Sequence, residues 1–67
     1  MKYTIGYWPQ YTGSLKEWTF HVRDDTGKIV MTSPANKMEV VEKLALFEAG
    51  ALRLCGHEVE IKDNVLT

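Results

Sequence analysis

The imidazole and thiol side chains of this 67-residue chain, the first candidates to ligate a metal or attack a substrate, are those of His21, Cys55 and His57. Cys55-Gly56-His57 places thiol and imidazole too close in sequence for a usual zinc pair, and a structural zinc needs four ligands. A Cys–His nucleophile would need a reactive thiol beside its base. Cys55 instead falls on the apolar side of a helical pattern and reads as a small core hydrophobe. No Gly-rich phosphate loop, Ser/His/Asp spacing or carboxylate pair stands out. Glu48 lies on the edge of the apolar stripe, beside Val41, Leu44, Leu52 and Cys55. An isolated carboxylate there is expected to reach solvent at the helix margin, or to meet Lys37 or a strand Arg, rather than act as a functional acid. The expectation is a protein that is not an enzyme and needs no metal or cofactor.

The other chemistry-bearing group is aromatic. The stretch "YTIGYWPQYTGSLKEW", residues 3–18, holds Tyr3, Tyr7, Trp8, Tyr11 and Trp18. Aromatic side chains build cores, and Tyr and Trp also anchor interfaces. Which role each takes depends on the elements that position it.

Residues 2–8 alternate as a strand, with Tyr3, Ile5 and Tyr7 on one face and Lys2, Thr4, Gly6 and Trp8 on the other. Pro9 cannot donate to a ladder and is expected to end the strand, leaving "PQYTGSLK" as a loop. "EWTFHVRD" then sets Trp18, Phe20 and Val22 inward and Thr19, His21 and Arg23 outward. "DDTG" is turn chemistry, and "KIVMTS" completes a hairpin closed by Pro34.

The period then changes. Val40, Leu44, Phe47, Ala51 and Leu54 form a helical stripe, broadened by Val41 and Cys55, which is taken as the core face. Asn36 with Glu39 resembles a capping box, Ser33 before Pro34 offers a second start, and Gly56 suits the position after the helix. Gly50 leaves two options: a continuous helix, or a helix ending there with residues 51–62 as a hairpin. The helix formers Ala51–Leu54 favour the continuous helix. "HEVEIKD" alternates as a last strand. The order β-β-β-α-β predicts an α+β fold, an antiparallel sheet of about four strands with one amphipathic helix on one face, in a single domain spanning 1–67.

A domain this small buries only about 60% of its unfolded surface, and small scaffolds lean on a disulfide, a metal or a partner. A single cysteine rules out an internal disulfide and fits a reducing compartment. The net charge of −1 argues against a strongly basic nucleic-acid binder. No apolar run is long enough to span a bilayer, and "MKYTIGYW" lacks a signal-peptide core. The chain is expected in the cytoplasm.

"EWTFHVRDDTGKIVMTS" followed by an amphipathic helix resembles the small YegP-like domains over residues 1–50, through Trp18, Phe20, Gly27, Ile29, Thr32 and Ser33. That resemblance implies a compact sheet-plus-helix unit that often pairs with a copy of itself, and no established activity. The added strand "GHEVEIKDN", and Pro34-Ala35-Asn36 in place of a Gly-Tyr-type segment, depart from it.

The expected function is a non-catalytic protein-interaction module, self-associating as a homodimer. In its specific form it is a phage or mobile-element protein that inhibits a host complex by occupying a surface. Trp8 and Tyr11, with Gln10 and Lys16, are the first candidates for partner contact. Leu46, beside Ala49 and Gly50 on the otherwise charged helix face, is another. The alternative is a single-stranded nucleic-acid binder using His21, Arg23 and Trp8 on the outer sheet face, a field that Glu58 and Glu60 would dilute.

Overall fold

The alternation of the first strand runs on past Pro9. In the computed structural model, which describes residues 1–62, the elements are β1 (Lys2–Thr12), β2 (Leu15–Arg23), β3 (Ile29–Thr32), α1 (Met38–Leu54) and β4 (Glu58–Ile61). The expected loop 9–16 is instead the far end of a long hairpin, with Pro9 opposite Trp18 and Thr12 opposite Leu15. Proline is tolerated because no ladder bond is lost. The N–H and C=O of Trp18 are turned to Asn36, so the Pro9–Trp18 pair lies at a position where β1 and β2 exchange no hydrogen bonds. Among the described residues the pairing of β1 with β4 runs from Lys2–Glu58 to Ile5–Ile61. Gly13, with φ of 62°, and Ser14 make a two-residue turn of the type II′ pattern.

The sheet order is β3-β2-β1-β4. The fold class is the expected α+β one, and the sheet is mixed: β2 pairs antiparallel with β1 and β3, while β4 runs parallel to β1. The parallel pairing follows from α1, which carries the chain back along the sheet so that β4 starts beside the N-terminus, Glu58 N–H donating to Met1 O. At the β2–β3 turn, Asp24 Oδ1 accepts from Thr26 N–H, Thr26 Oγ1 and Lys28 N–H.

The helix runs continuously through Gly50, as expected. Its ends differ in how closely they follow the sequence signals. The C-terminus closes on Gly56 at φ 88°, with Gly56 N–H donating to Arg53 O and His57 N–H to Leu52 O, a Schellman arrangement. At the N-terminus no capping box forms. Asn36 bridges to Trp18, and its Oδ1 accepts the Lys37 N–H. Ser33, the other proposed start, is buried: its Oγ accepts the Phe20 N–H at 2.8 Å and donates to Pro34 O.

The core joins Ile5, Tyr7, Phe20 and Val22 of the sheet to Val41, Ala45 and Ala49 of the helix, with Tyr3, Trp18, Met38, Leu52, Val59 and Ile61 around them. The expected helical stripe is therefore corrected. Leu44, Phe47, Ala51 and Leu54 are exposed, and so is Cys55, which is not a core residue. The physical reason is layer filling. Large strand side chains occupy the space between sheet and helix, and the helix meets them with small residues at fourfold spacing.

Candidate functional site

Sheet pairing divides the sequence-named residues among three surfaces. Trp8, Gln10, His21 and Arg23 lie on the outer sheet face. Tyr11 and Lys16 lie opposite each other on the inner face near the hairpin tip. Leu46 points out from the helix. The structure does not bring them together.

On the outer face, Trp8 and His21 meet with ring centroids 5.7 Å apart. Thr19 is buried between them: its Oγ1 donates to Trp8 O at 3.5 Å and lies 3.4 Å from His21 Nε2. Burial, and then the Arg23 guanidinium, lower the His21 pKa below its usual value, favouring the neutral ring. β4 joins the sheet and brings Glu58 and Glu60 to the same face beside Lys2 and Thr4. Glu60 pairs with Lys2 at 3.7 Å. This face is therefore mixed in charge.

At the hairpin tip Tyr11 is 66% exposed, and Lys16 Nζ lies 4.8 Å from the Trp18 ring centroid and 5.9 Å from that of Tyr11. The ammonium lies against both rings, a cation–π arrangement.

The third surface is the outer side of α1. Leu46 is 61% exposed, Phe47 78% and Leu54 91%. With Gly50, Ala51 and Arg53 they line an open groove of about 590 Å³. The sequence pointed to Leu46 and Gly50 but not to Phe47, Ala51 or Leu54, because the apolar stripe was assigned to the core, and Ala49, named beside them, is buried. The signal that separates the two faces is Val41-x3-Ala45-x3-Ala49, a run of small residues suited to lie on an aromatic-rich sheet.

The acid–base and thiol candidates stand apart. His57 packs edge-on against Tyr3 at 5.1 Å, and Cys55 is exposed at the helix C-terminus. Among the described residues no three of His, Cys, Asp and Glu are grouped so as to hold a metal, and no helix is long and apolar enough to cross a membrane. No protein-family model, curated protein or solved structure matches this chain.

Proposed function

We propose that the chain is a small non-catalytic protein-interaction module acting in the cytoplasm. One observation carries this reading: α1 buries Val41, Ala45 and Ala49 and turns Leu46, Phe47 and Leu54 to solvent. Burying apolar area is the main favourable term in folding, so a helix that spends its largest apolar groups outward gains that term only against another surface. In its finer form the proposal is a phage or mobile-element inhibitor that would use such a surface to occupy a host complex. Kinship with the YegP-like domains is likewise proposed on the residues named for it.

A photo-crosslinking amino acid in place of Phe47, in the chain expressed in its own cells, tests the reading. The expected result is a covalent adduct to a protein through this face. A folded variant that forms no protein adduct overturns it.

The alternative, single-stranded nucleic-acid binding, draws on Trp8 beside His21 and Arg23 on the open sheet face. Glu58 and Glu60 oppose it. Salt-sensitive oligonucleotide binding that falls with Trp8→Ala or Arg23→Ala supports this alternative, and no binding at low salt removes it.

A further inference from the structure

We infer that the outer face of α1 is covered by α1 of a second copy, running antiparallel about a twofold axis that passes between Phe47 and Glu48. The inference rests on the reading of the chain as an interaction module and names the partner at that surface.

The face is complementary to itself only in the reversed direction. At about 100° per residue, Glu42, Arg53 and Leu46 lie along one flank of the outward side, and Leu44 and Ala51 along the other. Arg53 belongs to the flank towards β4, since its Nη2 donates to Val59 O at 3.0 Å. A twofold axis between antiparallel helices brings each flank against the same flank of the partner. Placed between Phe47 and Glu48, it sets Glu42 level with the partner's Arg53 and Leu44 level with the partner's Ala51. Leu46 then comes within one residue of the partner's Gly50. The two Phe47 rings meet beside the axis.

Charge and shape select the same register. Glu42 and Arg53 are both exposed and of opposite sign, and the guanidinium has five N–H donors, so the bond to Val59 leaves it able to reach a carboxylate. A parallel twofold pairing would set the Glu42 and Arg53 flank against the partner's Leu44 and Ala51 flank, leaving neither charge with an opposite charge across the seam. It would also align the helix dipoles, whereas the antiparallel pairing opposes them. Gly50 supplies the hollow: without a side chain of its own it lines the groove with Leu46, Phe47 and Leu54, and a Cβ built there would enter open space. Leu46, the apolar side chain of that flank, is the group placed to enter it. Two such helices bury less than the roughly 1,600 Å² of a standard interface, which puts the dimer among the small, transient ones.

Four measurements on the full chain test this. Light-scattering mass at high micromolar concentration should rise to that of a dimer. Gly50→Gln keeps the fold, because the position opens on solvent, yet fills the hollow and should leave the chain monomeric with unchanged circular dichroism. Glu42→Arg and Arg53→Glu should each weaken association about fivefold, and the double exchange should restore it. In a Cys55→Ser background, Glu42→Cys with Arg53→Cys should form a disulfide-linked dimer, while either cysteine alone should not. A wild-type chain that stays monomeric overturns the inference. So does a dimer indifferent to Gly50→Gln and to the charge exchange, since it would form through another surface. Crosslinks from position 47 to a different protein by a monomeric chain overturn the second-copy assignment and leave the interaction-module reading standing. Absence of any adduct overturns both.

Discussion

Phe47 and Ala49 stand two positions apart on α1 and face opposite ways, Phe47 78% exposed and Ala49 fully buried against the sheet. The small residue is therefore the structural one. Ala49→Leu forces a larger side chain between the helix and the filled sheet face and should cost about 1–3 kcal/mol. Phe47→Ser should change the stability of the monomer by no more than about 0.5 kcal/mol, as surface substitutions do. Urea denaturation at low micromolar concentration, where association does not contribute, checks both. An Ala49→Leu protein as stable as wild type would contradict the packing described.

Gly50 makes a separate prediction. It lies inside the helix, and an added Cβ meets nothing within 4 Å. Gly50→Ala should then gain most of the helix-propensity difference, about 0.8–1 kcal/mol. For a domain this small that corresponds to a rise in Tm of about 4–8 °C. A fall in Tm would mean that the position is covered by a neighbour.

Ser33 supplies the third. Its Oγ accepts the Phe20 N–H inside the protein, where water cannot replace it. Ser33→Ala orphans that N–H and should cost about 1–3 kcal/mol, the penalty for an unsatisfied buried donor. Ser33→Thr preserves the hydroxyl and should lose less. Chemical denaturation of the two variants side by side separates a hydrogen-bonding role from a role in packing alone.

The fold was largely legible in the sequence because alternation and helical period are local signals. Trp18, Phe20 and Val22 declare their face through alternation, and Gly56 declares the helix end through its conformational freedom. Two features were not local. Pro9 breaks a strand only if its missing N–H was needed, and the pairing of Trp18 with Asn36 shows that it was not. Helix orientation depends on the size of what lies beneath. Val40, Leu44, Phe47 and Leu54 are the more hydrophobic stripe, yet the helix sets the smaller Val41, Ala45 and Ala49 over Tyr7 and Phe20, with Met38 and Leu52 packed at the margin. The candidate surface inherits that ambiguity: Leu46 was visible as an apolar residue on a charged face, while Phe47 and Leu54 were hidden by their assignment to the core.

The last prediction concerns pH. Burial and the nearby Arg23 lower the His21 pKa in the folded state. The unfolded chain takes up its proton near pH 6.5, the usual value. As the pH falls below that point, the unfolded state binds a proton that the folded state still refuses, so protonation favours unfolding. Stability from this group is therefore full above about pH 6.5, declines through the window between the unfolded and folded values, and levels off below the latter. His21→Gln, which keeps a polar group against Trp8 and Thr19 without titrating, should flatten that decline. Denaturation midpoints measured from pH 7.5 down to pH 5 check it: a wild-type slope in this window that persists unchanged in His21→Gln would assign the proton to another group.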